Sequence, residues 1–597
     1  MRILSRIALF HPKLRKVPES VGIAVLAAGA VCMLLVSWRK WPDPLIDAGH
    51  QLYTAWRLSE GAVLYRDVGC LYGPLSSYFN AFLFRLFGPG MMVLVWANVL
   101  VYAGIVVLAY HIFRGVYGAR GAFAALFLFV WVFSFNQLLL VGNYTYALPY
   151  AHESTHGMLI SLALLLVAGR WVDEGGKPWA LSMGLLCGLA LVLKPEFILL
   201  GLGVVAMATL LRLLRRRPPA ATEIALGAAA ALAPMTLFTI AFWRHLPLAE
   251  AFGAANQAWW TVLVSRVKAQ VWGSFLGTDA PAHNLVLMLK ASALLALALG
   301  VMGFGTRQLA RGRRIAGLLV PLPVVLILTW VDFFEAAWCI PLALLVVLVI
   351  RTARAVRDPG TISPLGLLLA VAAFALLVRM FLHPRVYHFG FYQAALAAMV
   401  VVAEIGLVLR RAAGQHRVAA LAVFASAGLA LVAACLAIFL RSESIYSLRT
   451  YPVAGGRDGF FAFAPEREPT GFLVSQVLGE LQGLPAEDKV LVVPEGLTIN
   501  YLSRRQSPLA EWIFIDLTLA GSGETSIVGK LAAHPPEHVV LISRDLREHG
   551  IARFGAPGQP GSKLIEFFQR TYRPRRHWGG DPLDAKARGV LILDRAL

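Results

Sequence analysis

Long apolar segments recur along the first three quarters of this chain and constrain its fold more than any other feature. The sequence has 597 residues, of which 58% are hydrophobic and only 15% are charged, whereas soluble domains are about 45–50% apolar and about 25% charged. A helix needs about 20 mostly apolar residues to cross the roughly 30 Å hydrocarbon core of a bilayer. The sequence therefore predicts a polytopic α-helical membrane protein.

Thirteen segments are apolar enough to be predicted as membrane-spanning helices, with the N-terminus cytoplasmic and the chain leaving the last span on the outer side. Lys194, Pro195 and Glu196 separate two of these segments, because proline removes a backbone donor and charges are costly in lipid. The predicted spans are 20–38, 91–113, 121–140, 156–170, 179–194, 196–213, 222–242, 285–305, 315–331, 335–350, 361–381, 390–409 and 418–440.

The net charge of +20 is explained by this topology. Basic residues form short clusters between apolar segments, and such clusters mark cytoplasmic loops. We therefore expect no nucleic-acid partner, although a soluble chain of this charge would suggest one. The clusters lie at 114–120, 212–217, 307–314, 351–357 and 410–417.

With the basic clusters inside, the loops 39–90, 141–155, 243–284 and 382–389 face outward. The first of these loops is too polar to cross the bilayer. The spacing of its apolar residues predicts two amphipathic helices at the membrane interface, one over 47–58 and one over 75–87.

Composition divides the chain into a transmembrane domain over 1–440 and a second domain over 441–597. In the second domain, short apolar runs that are typical of buried strands alternate with helical segments, which predicts a small α/β domain outside the membrane. Its expected strands are 489–496, 538–545 and 589–597, and its expected helices include 470–483 and 562–570.

The first outer loop carries three aspartates that are candidates for chemistry. An aspartate at the membrane surface can act as general base on a nearby hydroxyl, and burial beside aromatic residues such as Tyr53 would raise its pKa. The structural alternative is that Asp43 caps a turn and Asp47 caps the helix that follows it. Asp67 has Arg66 as an adjacent candidate partner.

Residues 152–156 read His-Glu-Ser-Thr-His, which matches the H-E-x-x-H pattern of zinc metalloproteases. On a helix, His152 and His156 face one way and can share a zinc ion, with Glu153 as the base. An intramembrane zinc protease is therefore one hypothesis. The alternatives are a polar contact to substrate or metal at the outer mouth of the fourth span, and an ordinary polar helix start after Pro149.

The segment 383–390 offers several hydrogen-bond donors at the edge of the bilayer. They can form a clamp for a lipid-linked phosphate, or an interfacial belt of aromatic and basic side chains. The donors are His383, Arg385, Tyr387 and His388.

Two shorter outer features have ordinary explanations. Lys194 and Glu196 are expected to form a snorkelling ion pair. Asn143, Tyr144 and Thr145 have the form of a glycosylation sequon, whose use depends on the host.

Seven segments carry a family resemblance. They are DPLIDAG, LSEGAVLYRD and YGPLSSYFNAFLFRLFG in the first loop, then NYTYALPYAHESTHG, GLALVLKPE, PRVYHFGFY and VVPEGLTINYLSRR. They resemble the bacterial GT-C glycosyltransferases, polytopic enzymes related to protein O-mannosyltransferases and to the aminoarabinose transferase of lipid A. The resemblance runs over nearly the whole chain and implies a many-helix membrane fold with a periplasmic C-terminal domain.

The resemblance implies an activity as well as a fold. A sugar would be transferred from a polyprenyl-phosphate carrier to an acceptor on the outer face of the bacterial inner membrane, with inversion of the anomeric centre. The acceptor would be an envelope glycan, a lipid or a protein. The lipid-linked sugar is the only small molecule implied, and the sequence leaves a divalent metal open.

The resemblance also implies roles for residues. Asp47 matches the family's catalytic base best by position, although Ala48 follows it where the O-mannosyltransferases have a paired Asp-Glu. Asp43 therefore remains a rival base, and Glu153 is a further candidate carboxylate. Arg385 and His388, with Tyr387 and His383, would hold the carrier phosphate. The residues expected to line the same cavity are Lys194, Glu196, His152, His156, Tyr53 and Arg66.

A transporter of lipids or polysaccharides is the non-enzymatic alternative. Such a protein should bury charged side chains in mid-helix along its pathway. The centres of the predicted spans are nearly free of charge, which favours the enzyme.

Overall fold

A computed structural model describes residues 18–259, 269–515, 518–519, 523–584 and 586–596. The described part contains a helical membrane domain followed by a smaller α/β domain. This architecture confirms the fold class predicted from the sequence. The prediction of a cytoplasmic N-terminus depends on basic residues that lie outside the described ranges.

Helices make up most of the membrane domain. They are α1 (Glu19–Val36), α2 (Ala48–Ser59), α3 (Pro74–Phe87), α4 (Met91–Phe133), α5 (His152–Glu174), α6 (Lys177–Leu191), α7 (Pro195–Leu214), α8 (Ala221–Trp243), α9 (Leu248–Ala255), α10 (Ala269–Leu276), α11 (Pro281–Ala310), α12 (Leu322–Trp330), α13 (Ile340–Arg357), α14 (Pro364–Leu377), α15 (Gly390–Gln393), α16 (Ala395–Ala413) and α17 (Arg417–Tyr446). Short 3₁₀ turns occur at Ile315–Leu319, Ala336–Cys339 and Val378–Met380.

Within the described residues, eight helices are long and apolar enough to cross a membrane, by length and composition. Shorter apolar helical stretches lie at Lys177–Leu191, Ile315–Trp330 and Pro364–Met380. The chain is therefore a multi-pass membrane protein. Each predicted span coincides with a helical segment, while the number of thirteen crossings stays a prediction.

One predicted pair of spans is divided at a glycine. The spans 91–113 and 121–140 lie on two helices that meet at Gly118 within α4, where φ 74° and ψ 175° are non-helical, a conformation that glycine adopts at little cost. The second helix ends at Phe133, well before residue 140. Just after this end, the hydroxyl of Ser134 donates to the carbonyl of Val130 in the last turn.

The C-terminal domain is built on a four-stranded sheet of order β3-β4-β6-β5 and a separate hairpin of β1 and β2. Strands β3 and β4 are parallel, and β6 is antiparallel to both of its neighbours. Its elements are β1 (Arg449–Val453), β2 (Phe460–Phe463), α18 (Thr470–Gln482), β3 (Val490–Val493), α19 (Leu497–Ser503), α20 (Glu524–Ala533), β4 (His538–Ile542), α21 (Ser562–Thr571), β5 (Tyr572–Gly579) and β6 (Gly589–Arg595).

The two helices predicted in the first outer loop have different surroundings. Helix α3 exposes Phe79, Phe82 and Leu86, as expected of an amphipathic helix at a membrane interface. Helix α2 does not lie at such an interface, because ten of its twelve residues are buried.

The C-terminal domain covers α2. The ring of His50 stacks on Trp512 with ring centroids 4.1 Å apart, and the hydroxyl of Tyr53 accepts a hydrogen bond of 2.8 Å from the backbone N–H of Ser507. Helix α2 is thus a shared core element between the two domains.

Candidate active site

Asp47 lies at the centre of a strained turn immediately before α2. Its backbone angles are φ 56° and ψ −64°, and the amide of Ala48 donates to the carbonyl of Ile46 over 2.6 Å. These features define a γ-turn of the rare positive-φ type. Asp47 occupies the predicted N-cap position, but its side chain makes no capping hydrogen bond. Such strain costs about 1–3 kcal/mol and is concentrated at functional sites.

Asn143 holds this turn from the membrane domain. Its side-chain oxygen accepts the backbone N–H of Asp43 at 2.9 Å, and its side-chain nitrogen donates to the carbonyl of Ile46 at 3.0 Å. The backbone N–H of Asn143 also donates to the carbonyl of Trp41. Asn143 is completely buried, so the apparent sequon is a structural clamp in this fold.

The rival aspartate, Asp43, is engaged in local hydrogen bonds. Its Oδ1 accepts the backbone N–H groups of Leu45 at 3.0 Å and of Ile46 at 3.1 Å. This is the turn-capping geometry that the sequence leaves open for Asp43. Asp47 and Asp43 therefore differ in what their side chains do, although both belong to the same short loop.

A buried ionic group lies beside this loop, at the junction of α6 and α7. The ammonium of Lys194 donates to the hydroxyl of Tyr150 at 2.7 Å and to Ser154 at 3.2 Å, and it lies 3.6 Å from Glu196. Lys194 is only 2% exposed, so it does not snorkel to the surface as predicted. Its charge is instead held inside the protein, next to the carboxylate of Glu196.

Gln393 in α15 and Arg379 in the 3₁₀ turn Val378–Met380 complete the ionic group. Gln393 donates to Oε1 of Glu196 at 3.2 Å, and the guanidinium of Arg379 lies 3.8 Å from the same oxygen. Two cations, Lys194 and Arg379, thus share one carboxylate, so the group carries net positive charge.

Tyr72 connects the ionic group with the aspartate loop. Burial raises the pKa of the Tyr72 hydroxyl, and the nearby groups Tyr150, Asp47 and Glu153 raise it further. These groups therefore lie near the Tyr72 hydroxyl, and the ammonium of Lys194 lies 4.3 Å from the centre of the Tyr72 ring. We call Tyr72, Tyr150, Glu153, Lys194, Glu196 and Arg379 the polar cluster.

Glu153 is the member of the polar cluster with unused hydrogen-bonding capacity. Its side chain is fully buried, and both carboxylate oxygens have no hydrogen-bond partner among the described residues. A buried polar group without a partner is costly, which indicates that a ligand hydroxyl or a water belongs here.

The segment 383–389 reaches the polar cluster through aromatic contacts. The ring of His388 lies 4.8 Å from that of Tyr144, and the ring of Phe389 lies 5.4 Å from that of Tyr150. The guanidinium of Arg379 also lies over the Phe389 ring at 4.9 Å. The segment that carries the predicted phosphate clamp therefore packs against the polar cluster through Phe389.

Arg385 is the cation of this segment with free donors. Its Nε and Nη2 are buried and have no hydrogen-bond partner among the described residues. The guanidinium lies over the rings of Phe275 at 5.6 Å and Tyr387 at 5.8 Å, and burial lowers the pKa of Arg385. A desolvated guanidinium of this kind is suited to bind phosphate oxygens.

His383 and Tyr387 fix the segment to its neighbours. The Nδ1 of His383 lies 2.8 Å from the carbonyl oxygen of Ser274, and the ring stacks on Trp338. Tyr387 stacks on Phe334 with ring centroids 4.2 Å apart. These contacts hold the backbone on either side of Arg385.

The H-E-x-x-H pattern occupies the first turn of α5, as the helix-start interpretation predicts. The two histidine rings have separate partners: His152 Nδ1 lies 3.1 Å from the Gln51 side chain, and His156 Nδ1 lies 2.9 Å from Ser76 Oγ. In the described part of the chain, no three His, Cys, Asp or Glu side chains are grouped closely enough to hold a metal ion. The residues present therefore do not fit a zinc-protease centre.

Two residues expected in the cavity lie elsewhere. Tyr53 points to the C-terminal domain, as described above. Arg66 forms an exposed ion pair with Asp67, with 2.8 Å between Nη2 and Oδ2. The sequence offers this ion pair as the alternative to a chemical role for Asp67.

Sequence reasoning did not single out Tyr72, Tyr150, Arg379 and Gln393. Arg379 falls at the outer end of the predicted span 361–381, and an arginine at that position is a usable signal because charges at span ends often face a polar cavity. The tyrosines gave no comparable signal, since aromatic residues are frequent in any interfacial loop.

An apolar cavity of about 180 Å³ lies beside Val386, the residue that follows Arg385 in the chain. Val386 forms one wall, and the other walls come from α4, α16 and α17 and the turn before α13. The lining is almost wholly aliphatic and aromatic, including Phe133, Ile405 and Ile438. The cavity can therefore accommodate part of a hydrocarbon chain.

The fold is similar to that of solved ArnT structures, and at the level of the fold this agrees with the resemblance seen in the sequence. The crystal structure of ArnT from Cupriavidus metallidurans in the apo state is similar over 96% of this chain and 97% of that chain, with a TM-score of 0.52 and 13% sequence identity. The structure of the same protein bound to undecaprenyl phosphate gives a TM-score of 0.51, again with 13% identity and the same coverage.

A sequence comparison gives a more particular match. Residues 72–243 match the family model described as dolichyl-phosphate-mannose-protein mannosyltransferase. No curated protein matches the chain.

Proposed function

We propose that this protein is an inverting glycosyltransferase that transfers a sugar from a polyprenyl-phosphate carrier to a hydroxyl-bearing acceptor. The observation that carries the proposal is the geometry around Asp47. A carboxylate on a strained turn lies near the buried cation Lys194 and Tyr72, and the segment 383–389, whose Arg385 has two donors without partners among the described residues, packs against Tyr144 and Tyr150. The match of residues 72–243 to a lipid-linked mannosyltransferase family and the ArnT structure bound to undecaprenyl phosphate support the same activity.

Asp47 acts as the general base in this mechanism. Its carboxylate takes the proton of the acceptor hydroxyl, and the oxygen attacks the anomeric carbon from the face opposite the phosphate. The bond between the anomeric carbon and the phosphate oxygen breaks, and its electron pair stays on that oxygen. The products are the glycosylated acceptor with inverted configuration, the polyprenyl phosphate, and a proton on Asp47.

The cations stabilise the leaving group. A polyprenyl-phospho-sugar is a phosphodiester with one negative charge, and the phosphate gains a second charge as the bond breaks. Arg385 and His388 hold the phosphate, and Lys194 and Arg379 add positive potential in a site that excludes water. Preorganised charges of this kind lower the barrier because they need no reorientation during the reaction.

The remaining polar groups orient the substrates. The free oxygens of Glu153 accept hydroxyls of the sugar, and the cavity beside Val386 holds the first part of the lipid tail. His152 and His156 support the loop helices α2 and α3 through Gln51 and Ser76. No step is assigned to a metal ion.

The proposed site lies at the outer face of a bacterial inner membrane, with the C-terminal domain in the periplasm. The acceptor would then be an envelope glycan, a lipid or a protein. The basic clusters assigned to the cytoplasmic side of the chain support this orientation.

The substitution Asp47→Asn tests the proposal. We expect purified wild-type protein to transfer radiolabelled sugar from a polyprenyl-phospho-sugar, and Asp47→Asn to lose at least about 10²-fold in kcat, the lower end of the usual effect of a general base. Asp43→Asn is the matched control, since it changes an aspartate of the same loop and should retain more activity.

Full activity of Asp47→Asn would remove Asp47 as the base. A protein that moves the lipid-linked sugar across a bilayer without cleaving the bond to phosphate would be a transporter. Chromatography of the lipid product distinguishes the two cases, because only transfer releases polyprenyl phosphate.

A further inference from the structure

Arg441 lies in α17, near the end that leads into the C-terminal domain, and its guanidinium stacks on an aromatic ring. The guanidinium carbon lies 3.9 Å from the centre of the Phe334 ring. Arg441 is exposed. Among the residues that the structure describes, its guanidinium forms no ion pair and donates no hydrogen bond. The contact with Phe334 therefore holds the charge in place and leaves its donors available to a ligand.

The Phe334 ring connects Arg441 with the segment that carries Arg385. Phe334 stacks on Tyr387, with ring centroids 4.2 Å apart and an angle of 4° between the planes. Because one face of a ring has room for one stacked partner, Arg441 and Tyr387 lie on opposite faces of Phe334. The guanidinium of Arg385 in turn lies 5.8 Å from the centre of the Tyr387 ring. Two arginines are thus joined through one pair of stacked rings.

The apolar cavity lies along this series of side chains. Three residues that line the cavity belong to the same chain segments as members of the series, namely Phe333, Val386 and Ile438. Arg441 follows Ile438 by three residues, so both side chains lie on one face of α17. Arg441 therefore lies about one helical turn beyond a wall of the cavity.

We propose that Arg441 is a second phosphate-binding residue, which captures the phosphate of the polyprenyl-phospho-sugar while the lipid chain enters the cavity. This inference rests on the proposed function, in which the phosphate is held by Arg385 during transfer. Two donors of Arg385 are buried, whereas Arg441 is exposed. Arg441 can therefore meet a head group that has not yet entered the site.

The chemistry of Arg441 fits a phosphodiester. A guanidinium presents five donors in a fixed fork, which matches two oxygens of a phosphate. The cation–π contact with Phe334 restricts the side chain before the ligand arrives, so less conformational freedom is lost on binding. The alternative is an interfacial arginine that only anchors α17 at the bilayer surface. Such an anchor has no effect on the affinity for a lipid-linked phosphate.

Two substitutions of Arg441 test the inference in the full-length protein. For Arg441→Gln we expect KM for the polyprenyl-phospho-sugar to rise about 10-fold, the equivalent of one charge-assisted hydrogen bond. The kcat should stay that of the wild type, because Arg441 does not hold the phosphate during transfer. Arg441→Lys keeps the charge but loses the fork, so its KM should lie between the two. Arg417→Gln is the matched control, since it removes an exposed arginine at the opposite end of the same helix, and it should behave as the wild type.

Direct binding of polyprenyl phosphate gives a readout that needs no transfer. In a titration of the purified protein in detergent, Arg441→Gln should raise the Kd of polyprenyl phosphate about 10-fold. Added salt should raise the Kd of the wild type more than that of the variant, because salt screens an exposed charge that the variant lacks. A KM and a Kd that both stay unchanged overturn the inference. A loss of kcat with a lower thermal midpoint also overturns it, because Arg441 would then only support folding, and so does an equal effect of Arg417→Gln.

The two proposals fail in different ways. A wild-type protein that transfers no sugar, or an Asp47→Asn variant that is fully active, overturns the proposed function. The titration with polyprenyl phosphate still decides whether Arg441 binds phosphate. If the wild type transfers sugar but Arg441→Gln has the KM and the Kd of the wild type, the inference alone is wrong.

Discussion

Asp43 and Asp47 lie four residues apart in one loop, yet their environments are distinct. The Asp43 carboxylate is occupied by two backbone amides of its own turn, and its charge contributes to the group around Arg449 in the C-terminal domain. Asp47 interacts electrostatically with Tyr72 and Tyr392 on the membrane side. The two aspartates therefore have different electrostatic partners.

At the scale of single residues, Arg385 provides a test of the proposed phosphate site. Arg385→Gln should lower kcat by about 10²–10³-fold, the usual effect of removing one donor to a developing negative charge. Arg385→Lys keeps the charge but loses the bidentate geometry, so its kcat should lie between those of Arg385→Gln and the wild type. The measurement is steady-state transfer from the polyprenyl-phospho-sugar.

The control for this prediction is Arg411→Gln, which removes an exposed arginine at the end of α16. It should behave as the wild type. An Arg385→Gln variant with unchanged kcat and KM would contradict the assignment of Arg385 to the phosphate.

At the scale of secondary structure, the position of α2 depends on close approach to the C-terminal domain. A Cβ atom on Gly49 would lie 2.2 Å from the backbone nitrogen of Thr498, at the start of α19. Because the blocking atom belongs to the backbone, it cannot move aside cheaply. The glycine therefore permits α2 and α19 to pack in contact, directly after the Asp47 turn.

Gly49→Ala should consequently separate the two helices and disturb the turn. We expect a loss of about 1–3 kcal/mol, as for other overpacked sites, seen as a lower thermal midpoint in detergent, together with reduced kcat. Gly479→Ala in α18 is the matched control, because no atom lies within 4 Å of its added Cβ. Equal midpoints for the two variants would contradict the packing explanation.

The sequence predicts best those strands and helices that depend on a local pattern of residues. The strands β3, β4 and β6 are buried apolar runs, and each coincides with a predicted strand. Strand β5 was not predicted because its sequence, YRPRRHWG, is mostly exposed and contains proline. Such a sequence is tolerated at a sheet edge, and edge position is a tertiary property.

On the scale of the whole molecule, the domain interface contains a buried histidine, His50. Burial lowers the pKa of His50 to about 4, from an ordinary value near 6.5. Between these pH values the unfolded chain binds a proton at His50 and the folded chain does not. Folded-state stability from this group is therefore present above about pH 6.5 and is lost as the pH falls toward about 4, by on the order of 3 kcal/mol.

His50→Phe should flatten this dependence, since phenylalanine can stack on Trp512 without titrating. We expect the thermal midpoint of the wild type to fall between pH 7 and 4.5 by more than that of His50→Phe. The variant begins from a lower midpoint at pH 7, because it lacks the hydrogen bond from the ring to the carbonyl of Gly69. His245→Gln, which changes an exposed histidine, should follow the wild type, and parallel curves for all three proteins would contradict the prediction.

The sequence by itself determined the membrane fold, the outer loops and the residues worth testing. Crossing a bilayer depends on the length and polarity of contiguous segments, and both are local properties of the chain. The tertiary structure decided which candidates lie near one another. The loop around Asp47 is held by Asn143, about one hundred residues away, and by Thr498, in another domain. Contacts at such separations are set by packing, so no local pattern could place Asn143 or Thr498 beside this loop.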